Sequence, residues 1–162
     1  MCRKNSLINQ RGFSLIELLI VIAVIGTLTA ISWFQFSAYS RKSAMESQIR
    51  TLYGDLMEAR TKALYEKKVV ALTFAANSYT IAADGVVTES KALPYSITWN
   101  NTYVVTYGTN GMLLDAPVAG KTICLSQENE SPVDAVVISM TRVQIGKKKG
   151  GTACADANIT AK

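Results

Sequence analysis

Residues Arg11–Phe34 read RGFSLIELLIVIAVIGTLTAISWF. From Phe13 to Phe34 there are 22 residues, and only Glu17 is charged. As a helix rising about 1.5 Å per residue, this run spans roughly 33 Å, enough to cross the hydrocarbon core of a bilayer. A charged side chain at mid-membrane costs on the order of 2–3 kcal/mol, less towards the end, so the carboxylate needs a partner. A secretory signal sequence fits poorly, because its apolar region is charge-free and ends at a small-x-small site. Here Ala30 has Leu28 two positions before it, and Ala38 has Phe36. A plain anchor leaves Glu17 without a purpose. Arg3, Lys4 and Arg11 precede the run and hold the N-terminus on the cytoplasmic side, so the C-terminal bulk is expected outside. A cut between Gly12 and Phe13 would place a free α-ammonium within about one turn of Glu17. In an assembly of staggered identical spans, the carboxylate of one chain would neutralise the ammonium of another, and low dielectric makes that pairing strong.

The basic leader, Gly-Phe, the glutamate five residues into the mature chain and the long apolar run resemble the class III signal segment of type IV pilins and type II secretion pseudopilins. The resemblance implies a prepilin peptidase that cuts after Gly12, N-methylation of Phe13, and a role for Glu17 in docking subunits. It implies as partners other pilin or pseudopilin subunits and an inner-membrane assembly platform. The expected location is a bacterial inner membrane, crossed once, with the head in the periplasm before entry into a filament. One departure is Phe34, where many relatives carry a helix-weakening proline. The stretch IGTLTAIS, with Gly26, Thr27, Thr29 and Ile31, favours helix less and is the expected place for stretching on assembly.

After Phe34 the pattern becomes amphipathic. Met45, Ile49, Leu52, Leu56, Ala59 and Ala63 alternate by four and three and form one apolar face. No proline interrupts Phe13 to Glu66, so one long helix is predicted, its second half lying on a sheet. From Val69 the runs VVALTF, SYTIAA, YSITW, YVVTY, KTICL, AVVISM and RVQI read as seven strands. Turn signals such as Asp84-Gly85 and Asn110-Gly111 separate them. The expected fold class is α+β: a long N-terminal helix packed on antiparallel sheets, pilin-like. Its divisions are 1–12 leader, 13–34 transmembrane and assembly helix, 35–68 amphipathic helix and 69–162 β-rich head. The stretch LYGDLMEARTKALYEKKVVALTF, with VVTYGTNGMLL and VVISMTRVQI, resembles the GspH/FimT group of minor pilins and minor pseudopilins. That resemblance implies a helix with two antiparallel sheets and a place near a filament tip.

Net charge is +5, but without the three leader cations the 17 basic residues fall to 14 against 12 acidic ones, leaving +2. Any nucleic-acid site must therefore be local. The local candidate is TRVQIGKKKGG: Arg142, Lys147, Lys148 and Lys149 around the end of the final predicted strand, placed to meet phosphates without sequence preference. Some minor pilins of the group bind DNA through an arginine-bearing C-terminal motif. Here Arg142 lacks the preceding glycine, and Gln144 replaces the second arginine. The other reading is a solvated basic turn that blunts a strand edge.

Histidine is absent, serines lack a candidate base and no glycine-rich phosphate loop follows a strand, so no enzyme and no cofactor is expected. Cys124 and Cys154 are too few for a zinc site. In an exported domain they would form a disulfide; two buried free thiols are the alternative. Asp115, Glu128, Glu130 and Asp134 lack the dense spacing of a calcium loop, so no metal is expected.

Overall fold

The computed structural model describes residues 13–101, 103–114, 120–127 and 129–161. One helix, α1, runs unbroken from Leu15 to Glu66. Among the described residues nine strands follow: β1 Val70–Ala75, β2 Ser78–Ala83, β3 Val86–Ala92, β4 Ile97–Asn100, β5 Val104–Tyr107, β6 Lys121–Leu125, β7 Ala135–Ile138, β8 Val143–Lys148 and β9 Ile159–Ala161. They form two antiparallel sheets, β3-β2-β1-β5 and β4-β6-β7-β8-β9. The chain divides into two compact units, Met1–Tyr39 and Ser40–Lys162.

Within the second unit the core begins on the helix. Met45, Ile49, Leu52, Leu56, Ala59 and Ala63 are all buried, the same six positions that the four-three spacing selects. They join one apolar cluster with Val70, Leu72, Phe74, Tyr79 and Ile81 from the first sheet and Ile97, Ile123, Leu125, Val136 and Ile138 from the second. β1 and β2 alternate buried and less buried residues, whereas every residue of β6 and β7 is buried. Their mostly apolar composition suits strands covered on both faces.

The helix stops at Lys67, whose φ of 56° is left-handed and ends the run of helical bonds. Asp84 then receives the chain: its Oδ1 accepts the Val69 N–H (3.0 Å), and its own N–H donates to Val69 O (2.8 Å). Asp84 and Gly85 both have positive φ, 48° and 80°, the two-residue turn that matches strand twist in a hairpin.

Two strands exceed the seven that the sequence patterns predict. β3, VVTESKA, has no apolar alternation because it is an edge strand with no deeply buried residue. β9 is three residues long, too short to produce a pattern. Consequently RVQI is not the final strand; β8 continues to Lys148 and is itself covered by β9.

Candidate assembly segment and head surface

Glu17 lies in the first turn of α1, where a carboxylate complements the helix dipole. Leu18 N–H donates to Ser14 O (3.2 Å), closing that turn. Phe13 is 76% exposed, and Leu15, Ile16, Leu18, Leu19, Ile20, Val21, Ile22, Val24, Ile25 and Leu28 are exposed as well. Surface of this kind in one continuous helix requires lipid or other chains around it. By length and composition α1 is long and apolar enough to cross a membrane. Gly12 and the leader lie outside the described residues. The two threonines in the apolar run satisfy their hydroxyls internally: Thr27 Oγ1 donates to Val24 O (2.9 Å) and Thr29 Oγ1 to Ile25 O (2.7 Å). Such back-bonds, next to Gly26, weaken a helix slightly without breaking it.

The basic stretch is arranged differently from the loop expected of it. Arg142 lies in the β7–β8 turn, where Ser139 N–H donates to Arg142 O (2.8 Å). Lys147 and Lys148 lie within β8, six steps from Arg142 to the latter, about 20 Å along an extended strand. Lys147 is committed inward. Its Nζ donates to Asp134 Oδ2 (2.7 Å) and to Asn129 O (2.6 Å), and the Asp134 side chain is almost wholly buried. Asp134 Oδ1 also accepts the Lys148 N–H (2.7 Å). Lys149 N–H donates to Asn158 O (3.0 Å) as the chain turns towards β9. The four cations are therefore split between two ends of a strand, and one is neutralised by a buried carboxylate. This also accounts for Asp134, while Asp115 and Glu128 lie outside the described residues. Among the described residues no group of three or more His, Cys, Asp or Glu could hold a metal ion.

Cys124 on β6 and Cys154 in the tail are bonded, with Cα atoms 5.9 Å apart. The bond ties the segment leading to β9 back onto the second sheet. Gly146 on β8 lets that strand approach: a Cβ there would lie 2.5 Å from Ile159 Cγ2 and 2.7 Å from Thr160 O.

Sequence reading missed three polar attachments between α1 and the head. Asp55, 7% exposed, accepts from Tyr79 Oη through Oδ2 and from Lys91 Nζ through Oδ1 (2.9 Å). Burial first, and then the Asp55 carboxylate, push the Tyr79 phenol well above its ordinary range. The hydrogen bond to Asp55 raises Lys91. Gln48 Nε2 donates to Tyr95 O (2.7 Å) while Tyr95 N–H donates to Gln48 Oε1 (2.9 Å), a reciprocal pair that fixes the β3–β4 connection. Arg60 Nε donates to Gly111 O (3.0 Å) and holds the 108–114 loop. The one available signal was Asp55 itself, a carboxylate immediately before Leu56 on an otherwise apolar stripe.

The family described as "Prokaryotic N-terminal methylation motif" matches residues 7–33. The chain thus carries an N-terminal methylation motif, and the helix that follows it belongs to a pilin-like fold with two antiparallel sheets. Among known sequences it is similar to Fimbrial protein Q of Moraxella bovis, 44% identical over 71 residues, 42% of this chain and 43% of that protein. The chain thus matches less than half the length of that curated relative. Among solved structures it is similar to the type IV minor pilin FimU of Pseudomonas aeruginosa in two crystal forms. The first gives a TM-score of 0.55 at 14% identity, covering 75% of this chain and 96% of FimU. The second gives 0.52 at 16% identity, covering 71% and 96%. At such identity the likeness is one of fold.

Proposed function

We propose that the chain is a minor subunit of a type IV pilus or of a secretion pseudopilus, processed by a prepilin peptidase and acting in filament assembly or at the tip. The precursor is cut between Gly12 and Phe13 and methylated at Phe13. It waits in the inner membrane with its head in the periplasm, and an assembly platform passes it into the filament. The observation that carries this reading is Glu17: the only charge between Phe13 and Phe34, on an exposed apolar helix that continues into a structured head. A lone anchor has no use for that charge, whereas a neighbour's terminal ammonium balances it. Reading the head as a DNA-capturing tip finds less support, because Lys147 is already paired and Arg142 is about 20 Å from Lys148.

The test is Glu17→Gln in the full chain. The variant inserts into the membrane as the parent does, but its incorporation into filaments falls roughly 30- to 150-fold, the equivalent of losing about 2–3 kcal/mol of charge compensation. Intact mass of the parent should correspond to residues 13–162 plus one methyl group. Normal incorporation of the variant, or a mature chain that keeps its leader, rejects the proposal.

A further inference from the structure

The buried stripe of α1 starts at Met45, and one turn earlier on the same helical face stand Arg41 and Lys42. Arg41 is exposed and Lys42 half-buried. Among the described residues neither makes a hydrogen bond or an ion pair. The nearest acidic residue before them in the chain is Glu17, and the first after them is Glu46. Glu46 is already engaged: its Oε1 accepts from Arg50 Nε (2.9 Å) and Nη2 (2.7 Å). Helix geometry explains that choice, because a carboxylate four residues before a cation pairs better than one four residues after it. Arg50 therefore wins Glu46 from Lys42. Two adjacent cations are left without a counter-charge.

Their place in the chain indicates where one lies. The apolar run ends at Phe34, and Trp33 and Tyr39 stand about its end, residue types that gather at the level of lipid headgroups. Tyr39 is 70% exposed. At about 1.5 Å per residue, Arg41 and Lys42 come roughly 10–12 Å beyond Phe34. The headgroup layer outside the hydrocarbon core is about 5–8 Å deep. Side chains on a helix lean towards its N-terminus, which here is the membrane side. Long basic side chains also reach back to the interface while their stems lie along apolar surface. The guanidinium and the ammonium thus arrive at the phosphates. Cations just outside a span on its outer side run against the usual cytoplasmic bias, so a local attraction has to hold them.

We propose that Arg41 and Lys42 form a binding site for the phosphate groups of anionic phospholipids in the leaflet on the head side of the membrane. The proposal rests on the reading of α1 as a membrane span. When the precursor loses Met1–Gly12 it loses Arg3, Lys4 and Arg11, and Arg41 and Lys42 are then the basic side chains within ten residues of the span. The pair sets the depth of the mature chain once the leader no longer does.

The experiment uses the full chain reconstituted at low density in phosphatidylcholine vesicles. Spin-labelled phosphatidylglycerol and spin-labelled phosphatidylcholine serve as probes, and electron paramagnetic resonance reads the fraction of each held against the protein. The parent prefers the anionic probe. Arg41→Gln lowers that preference about fivefold, and Arg41→Gln with Lys42→Gln lowers it roughly 30-fold. Salt at 0.5 M brings the parent towards the double variant. Lys148→Gln with Lys149→Gln removes the same charge from the head and leaves the preference unchanged. The leader is present in every chain, so its cations cancel in the comparison. Equal preference in the parent and the Arg41→Gln, Lys42→Gln chain, with both resistant to alkaline extraction, overturns the proposal and assigns the counter-charge to a neighbouring protein's carboxylate. An equal loss in the Lys148→Gln, Lys149→Gln chain overturns it as well, since net charge alone would then be acting. Alkaline extraction that strips the parent from the vesicles is a different failure: it rejects the membrane span itself, and this site with it.

Discussion

Asp55 shows how much one residue can hold in this head. It is buried, and it accepts from Tyr79 on β2 and Lys91 on β3, so it ties the helix to two strands of the first sheet. Asp55→Ala leaves the buried Tyr79 phenol without its acceptor and half-buried Lys91 with Glu89 (3.4 Å) as its remaining carboxylate, and we expect a loss of about 2–3 kcal/mol, read as a fall in thermal midpoint. Tyr79→Phe removes one donor while keeping the ring against Phe74, and about 1 kcal/mol is expected. A loss for Asp55→Ala no larger than for Tyr79→Phe would show that Asp55 does not hold the pair. Tyr107 is a second case. Its hydroxyl is buried without a hydrogen-bond partner among the described residues, and burial pushes its pKa up to about 12 against the opposing pull of Arg60. The unfolded chain releases this proton near pH 10 and the folded chain does not, so the folded state binds more protons between those values. Stability is accordingly full below pH 10 and falls as pH rises towards 12, by about 1.4 kcal/mol per unit for this group alone. Tyr79, raised still further, adds to the same alkaline loss. Denaturant titrations between pH 9 and 11.5 should show the decline, and Tyr107→Phe should make it shallower without costing stability at neutral pH. An unchanged slope in that variant removes Tyr107 from the explanation.

Among the strands, β9 depends on a close approach that a single methyl group would prevent. Gly146→Ala brings its Cβ within 2.5 Å of Ile159 and 2.7 Å of the Thr160 carbonyl, and backbone cannot yield as a flexible side-chain end can. We expect about 1–3 kcal/mol of destabilisation, with the C-terminal strand released to proteolysis beyond Cys154 while the remaining fold persists. If limited digestion leaves residues 155–161 as protected as in the parent, β9 does not depend on that glycine. The same elements show what a sequence discloses. The apolar stripe of α1 was fully legible, because burial on one side of a helix imposes a 3.6-residue period on side-chain type. β1, β2 and β4 to β8 were legible through β-branched and aromatic runs between turns. β3 was not, since an exposed edge imposes no alternation, and its hairpin turn was the sole trace. The basic stretch misled for a related reason: composition displays Lys147 but not Asp134, which lies 13 residues earlier and meets it only once β7 and β8 pair.

Across the molecule, the decisive fact is where burial begins. Among the described residues, each buried apolar one lies at or beyond Met45, whereas the described side chains from Phe13 to Tyr39 contribute nothing to the core. The membrane-length half of α1 and the head are thus separable in energy although they share one helix. The first is stabilised by lipid or by neighbouring subunits, and the second by its own cluster, its polar attachments and the Cys124–Cys154 bond. A fragment starting at Ser40 should therefore be soluble and fold cooperatively, with circular dichroism showing helix through Glu66. Its thermal midpoint should match that of the full chain in detergent. The helix start at Ser40 is exposed and will fray, but the first core residue is five positions further on, so fraying costs little. Reduction of the disulfide in that fragment should remove about 3–4 kcal/mol, as expected for cysteines 30 positions apart. A fragment that aggregates or melts without cooperativity, while the full chain in detergent melts sharply, would mean that the apolar half of α1 stabilises the head after all. Stability independent of that half is what a subunit needs if its apolar helix must leave lipid and pack among others with the head intact.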